Sequence, residues 1–343
     1  MNVLGTTLAL AVAGLALATS SAPVVSTMQP GTSTTFTTST TSTTSTTSTT
    51  STTVDLSRPG TLPRGEDARV PHKDGTEIVD GDVRVDLGTE DFLLLGTSGE
   101  DYVVNRWTGQ APRDRILRVT ASGQRTVLLR GRDSWGAQLT GDGTHLIASD
   151  HQRLTTFTTY DASSGHEVSN ARFRGYPALL DARAGTALVS SDARSRTIAW
   201  DYLDGARSVV VDRAGYHADL GADRIAAFVG DPYRDGCSEV FAISDPDKVL
   251  WRSCREKVGS FSPSGGQMVT MYILSDGVGP NQVRQRTLDG TALVTYTSRW
   301  FGLLQWEDED TLLLDANGRR KGATVRCDLA DCERASDLES SSP

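Results

Sequence analysis

The stretch Val258–Tyr272 (VGSFSPSGGQMVTMY) sets an apolar run, a Ser-Pro-Ser-Gly-Gly turn and a second apolar run in that order. Four further stretches repeat the pattern: WGAQLTGDGTHLIASD from Trp135, YPALLDARAGTALVSSD from Tyr176, YHADLGADRIAAFVGD from Tyr216 and WFGLLQWEDEDTLLLD from Trp300. Their first residues are 41, 40, 42 and 42 positions apart. Gly, Pro, Ser and Asp mark the turns for backbone reasons, and the runs between them alternate as half-buried strands do. A period near forty with several short strands per unit predicts a β-propeller, whose four-stranded blades bury their faces only against their neighbours. Upstream, residues 92–129 hold another four-strand set. Residues 76–87 form a hairpin around Asp80-Gly81, expected to complete a further blade by pairing with C-terminal strands. The expected fold is all-β, a propeller of six or seven blades.

Two motifs sharpen the expectation. Phe261-Ser262-Pro263-Ser264-Gly265-Gly266-Gln267-Met268-Val269 resembles the FSPDGxxLA pattern of TolB-like and WD40-like propeller repeats, with Ser264 where Asp is usual. Tyr160-Asp161-Ala162-Ser163-Ser164-Gly165 is similar to the YDxxTG strand-turn pattern of the same repeats. The resemblance covers roughly residues 76–338 and concerns turns, so it implies a fold; propellers range from scaffolds to hydrolases.

The N-terminal part reads differently. Its first 53 residues carry no charged side chain, so the net charge of −9 belongs to the other 290. Residues 1–25 are expected to be a signal peptide or membrane anchor: Val3–Ala18 is apolar, and Ala16-Leu17-Ala18 offers a small-x-small cleavage site. Extension through Val25 reaches the length of a membrane span, so anchoring through residues 3–25 stays open beside secretion. No Lys or Arg precedes the segment, although both kinds ordinarily carry one, which leaves the true start of the chain open. Residues 26–65 read as a disordered Ser/Thr-rich stalk and linker, unable to bury enough apolar area to offset ordering entropy. The propeller is assigned to 66–338 and a disordered tail to 339–343.

Composition and cysteines bound the partners. A mixed-sign acidic surface argues against a nucleic-acid backbone, which needs concentrated Lys and Arg. Cys237 with Cys254, and Cys327 with Cys332, each bracket a turn between expected strands, so two local disulfides are expected in an exported protein. Neither pair has the two-residue spacing of a zinc knuckle.

No nucleophile elbow, phosphate loop, zinc-protease helix or dinucleotide fingerprint is present, and no catalytic residue, metal ligand or cofactor is assigned. The five histidines lack ligand spacing; His217 is the most interesting, since it follows Tyr216 at a blade opening. Glu307-Asp308-Glu309-Asp310 lacks the interleaved spacing and glycine of a calcium loop and reads as a solvated turn. The pattern pointing to a ligand is aromatic. Trp135, Tyr176, Tyr216 and Trp300 open their units, and equivalent positions in a propeller form a ring that could stack on a sugar or hold a peptide. Filling the wedge between blades is the competing use of the same residues, and Val258 interrupts the ring. The expected function is an extracytoplasmic binding module, secreted or membrane-anchored, for a protein, peptide or glycan at the cell envelope. A propeller hydrolase or lyase acting on a glycan, lactone or peptide is the alternative.

Overall fold

The computed structural model describes residues 51–108, 113–134, 136–191, 195–275 and 277–341. The apolar segment 3–25 and the stalk up to residue 50 lie outside them. Seven antiparallel sheets follow one another as the blades of a propeller. Blade 1 has three short strands (His72–Asp74, Glu77–Asp80, Val83–Asp86), and blades 2 to 7 have four each, with inner strands Phe92–Ser98, Gln138–Leu139, Ala178–Arg183, Ala214–Asp219, Glu256–Phe261 and Trp300–Trp306. Seven blades thus fall within the range read from the period.

The period has a packing cause. One very apolar strand per blade, such as Thr186–Ser191 (TALVSS) or Thr311–Asn317 (TLLLDAN), is buried on both sides because it is sandwiched between neighbouring sheets. The core is accordingly divided among the blade junctions. Phe157 and Phe173 of blade 3 meet Trp200 of blade 4 at 6.0 and 5.5 Å between ring centroids. Val269, Val283 and Tyr296 of blade 6 meet Phe301, Leu312 and Leu314 of blade 7. Each such fully buried side chain contributes on the order of 1.5–3 kcal/mol. At the junction of blade 7 with the first blade the cluster shrinks to Ala68, Leu313 and Ala335, with Val70 against it.

Three expectations are corrected at the ends of the chain. Hairpin 77–86 does not pair with C-terminal strands; it takes His72–Asp74 as its third strand and forms its own sheet. Closure comes from further upstream, where Thr52–Asp55 pairs in parallel with the outer strand Ala292–Thr297 of blade 6. Arg64 then bridges to Arg334 of blade 7. Residues 52–65 therefore belong to the propeller, with Leu56 and Pro59 buried. A short strand on an edge satisfies backbone groups that would otherwise invite pairing with another chain. The tail is similarly ordered at its start, since Glu339–Ser340 pairs with Lys321 and Gly322.

Both disulfides are formed as expected, Cys237–Cys254 and Cys327–Cys332, with Cα atoms 3.9 and 4.2 Å apart.

Candidate functional site on the connection face

In blades 2 to 7 the four-stranded meander starts at the inner strand. Turns between second and third strands therefore emerge on the same face as the connections between blades, and the remaining turns emerge on the opposite face. We call the first the connection face and the second the turn face.

On the connection face a cleft of about 650 Å³ opens between blades 5 and 6. One wall is the 3₁₀ turn Pro232–Arg234, held by Asp231, whose carboxylate accepts the Tyr233 N–H at 2.9 Å. Gly236 allows the turn to close, because a Cβ there would fall 2.5 Å from the Asp231 carbonyl carbon. The turn presents Tyr233, 73% exposed, and the end of the second strand of blade 6 presents Tyr272, 58% exposed. The Cys237–Cys254 bond pins the connection that leads into the floor. Glu256 on that floor accepts hydrogen bonds from Thr270 Oγ1 at 2.8 Å, from Arg286 Nε at 3.0 Å and from Arg284. Burial pushes its carboxyl up, but the bonds from Arg286 and Thr270 and the two guanidinium charges prevail and hold it below the usual carboxylate range. Asn281, Gln282 and Arg284 complete the polar lining. Such a cleft can hydrogen-bond a polar chain while tyrosine rings stack on it.

A second cavity, about 520 Å³, lies where blade 7 meets blades 1 and 2, at the thin part of the core. Leu93, Leu94, Leu95, Leu303 and Leu313 give it apolar walls, and Asp74, Asp315 and Glu339 are its carboxylates. Gly302 makes room for the Asp315 carboxylate, since a Cβ there would sit 2.1 Å from Asp315 Oδ2. Burial raises the Asp315 carboxyl, the Asn317 side chain works against this, and the charge of Glu339 adds to the rise.

The aromatic residues singled out in the sequence occupy different kinds of place. Trp135 lies outside the described residues. Tyr176 is 68% exposed on the connection from blade 3 to blade 4, its ring centroid 6.2 Å from that of His151. Trp300 is half-buried at the start of blade 7, paired in register with Asn317. Tyr216 is taken up by packing: it stacks on Phe228 at 4.2 Å, its hydroxyl meets Ser238 Oγ at 2.6 Å and it accepts the Val258 N–H of blade 6 at 2.8 Å. Burial pushes its phenol up to about 12. Among the described residues, no ring contact joins Tyr176, Tyr216 and Trp300 to one another. His217 is half-buried and stacks on Phe261, centroids 5.4 Å apart, and desolvation lowers its pKa.

Tyr233 and Tyr272 were not singled out by sequence. Neither opens a unit, and the Asp231-Pro232 dipeptide is the turn signal that could have drawn attention to the first. The acidic run is a turn of which only half is solvated: Asp308 and Asp310 are exposed, and the two glutamates are engaged. Glu307, its side chain 1% exposed, binds Arg326 at 2.7 Å, and Glu309 bonds to blade 6. Among the described residues, no three His, Cys, Asp or Glu side chains gather closely enough to hold a metal ion.

No known protein family matches the sequence, and no curated protein is similar to it by sequence. Among solved structures the chain is similar to the β-propeller domain of the Trilobed protease from Pyrococcus furiosus, described as having an open velcro topology. Identity is 12% and the TM-score 0.55, over 80% of this chain and 96% of that one. It is also similar to an acylaminoacyl peptidase in complex with Z-Gly-Gly-Phe-chloromethyl ketone, with 12% identity and a TM-score of 0.52 over 83% of this chain. It spans about half of that enzyme, 54% of its length. Likeness at this identity is one of fold, and a propeller is what it shows.

Proposed function

We infer that the protein is an extracytoplasmic binding module that holds a peptide or glycan segment on its connection face. The observation that carries this reading is the pair of exposed tyrosines, Tyr233 and Tyr272, on a cleft whose buried charges are already satisfied by one another. Paired in this way, the floor holds its groups in place for directional hydrogen bonds, and two guanidinium groups against one carboxylate leave it with a positive excess. Tyr176 and Trp300 extend the aromatic character of the same face. Two disulfides support an oxidising compartment, and the apolar and Ser/Thr-rich N-terminal sequence supports export or anchoring at the cell envelope.

The test is thermal unfolding of the full chain against chito-oligosaccharides, peptidoglycan fragments and a peptide panel, since a ligand of the folded state raises Tm by mass action. A shift lost in Tyr233→Ala with Tyr272→Ala, the unliganded Tm being retained, supports the cleft. A shift that survives both changes moves binding elsewhere.

The hydrolase or lyase reading draws on Asp315. A carboxyl raised by burial in an apolar-walled cavity is suited to proton transfer. Turnover of a glycan, lactone or peptide that disappears in Asp315→Asn would favour it.

A further inference from the structure

On the connection face, across blade 6 from the tyrosine cleft, lies a cavity of about 1000 Å³ whose ten lining residues include five cations and no acid: Arg58, Arg299, Arg319, Arg320 and Lys321. All five are exposed. In a chain of net charge −9, this is a local reversal of sign.

The cavity is assembled by ring closure from three segments distant in sequence. Residues 57–61 follow the closing strand, Ser298–Arg299 connect blades 6 and 7, and Arg319–Lys321 lie at the turn before the third strand of blade 7. The walls are fixed by backbone bonds. Leu62 N–H donates to Pro59 O at 3.1 Å, Arg299 N–H to Asn317 O at 3.2 Å and Gly318 N–H to Lys321 O at 2.9 Å. Gly318 permits the close approach of the first and third segments, since a Cβ there would meet Ser57 O at 2.4 Å.

Several other arginines are ion-paired: Arg326 with Glu307 and Glu333, Arg284 and Arg286 with Glu256, and Arg213 and Arg252 with Glu239. Among the described residues, none of the five cavity cations is within ion-pair distance of a carboxylate. Two acids are close in sequence or pairing. Asp55 accepts the Ser57 N–H at 2.9 Å, and Glu339 sits in the strand that pairs with Lys321 and Gly322.

We propose that this cavity is a binding site for a compact polyanion, a ligand bearing several phosphate or sulfate groups. Like charges around a concave wall repel one another, and an anion between them relieves that repulsion where the walls focus the field. Guanidinium forks match tetrahedral oxyanions through paired N–H bonds, and four of the five cations are arginines. The volume is at the upper end of small-ligand pockets, room for a multiply charged molecule or a few units of a sulfated chain.

The test is calorimetric titration of the full chain with two probes, sodium tripolyphosphate and a heparin-derived hexasaccharide, at about 50 mM and about 200 mM salt. One site is expected, weakening several-fold at the higher salt, and the preferred probe tells phosphate from sulfate chemistry. Arg299→Glu with Arg319→Glu lowers affinity by about tenfold or more, with Tm unchanged, as loss of a charge-assisted contact predicts. Should that variant fold poorly, Arg299→Gln with Arg319→Gln carries the same expectation. Arg153→Glu with Arg174→Glu, exposed on the same face at blade 3, binds like the wild type. Binding of neither probe at low salt overturns the proposal, as does equal loss in both pairs of variants. Tyr233→Ala with Tyr272→Ala leaves anion binding intact, so this site and the tyrosine cleft fail or stand separately.

Discussion

Ser264 of blade 6 donates its backbone N–H and its hydroxyl to Glu309 of blade 7, at 2.8 and 2.5 Å, and Ser262 Oγ adds a third bond at 2.8 Å. Comparable links run around the turn face: Asp142 accepts the Ala184 N–H, Asp181 the Leu220 N–H, and Gly265 O the Arg224 Nε–H. Ser264 stands where the resembling repeats carry Asp, and an Asp there would face Glu309 with like charge. Exchange of a carboxylate for a hydroxyl is thereby matched across the seam.

Glu309→Ala leaves the Ser262 and Ser264 donors without this acceptor and is expected to cost about 1–3 kcal/mol in urea unfolding. Ser264→Asp is expected to cost more at neutral pH than at pH 4, where carboxylates begin to neutralise. Equal costs at the two pH values would place the effect in packing.

Removing the closing strand is expected to weaken the ring. Leu56 is fully buried in the cluster shared by blades 6 and 7, so Leu56→Ala should cost about 2–5 kcal/mol. A fragment starting at residue 66 should melt well below one starting at residue 51; equal melting would show that the ring closes without this strand.

Acid should unfold the protein in part through two turn aspartates. Burial pushes the Asp142 carboxyl up, but the Thr140 and Thr144 hydroxyls and the Ala184 N–H bring it to about 2; Ser163 and Ser164 hold Asp161 at about 2. A folded pKa below the ordinary 3.8 gives stability that is complete above that value and is lost as pH falls towards 2. Asp142→Asn with Asp161→Asn should therefore flatten the dependence of the urea midpoint on pH between about 4 and about 2. An unchanged slope would assign the acid limb to other carboxylates.

The two disulfides should contribute unequally. Cys237 and Cys254 are 17 residues apart, Cys327 and Cys332 only 5. Chain entropy assigns them about 3 and about 2 kcal/mol. Replacing the first pair with serines should lower Tm more than replacing the second, and should also loosen the tyrosine cleft, whose floor that bond anchors.

What the sequence disclosed and what it withheld have the same physical origin. Turns and apolar strands are local, so FSPSGGQMV and the forty-residue period were enough for the architecture. The closing strand was hidden because Thr52–Asp55 ends a Ser/Thr run and its partner begins at Ala292. The cationic cavity was invisible for the same reason, its three segments meeting only when the ring closes. The unit-opening aromatics within the described residues differ in register. Inner strands carry irregularities at Leu95, Leu180, Tyr216, Gly259 and between Phe301 and Leu304, which align Tyr216 with Leu180 and Gly259. Tyr176 lies four residues before its bulge, so Tyr176 and Tyr216 head their units in sequence without sharing a place on the inner strand.

The parallel pairing of Thr52–Asp55 with Ala292–Thr297 also decides how the fold would bear tension. A pull on residue 51 along that strand loads its hydrogen bonds together, in shear, and passes the force into blade 6 before any other blade feels it. A pull across the strand peels the same bonds one at a time. Resistance to such a load is set by the rate of this first rupture, so the direction of pulling, as much as equilibrium stability, would govern how long the ring stays closed.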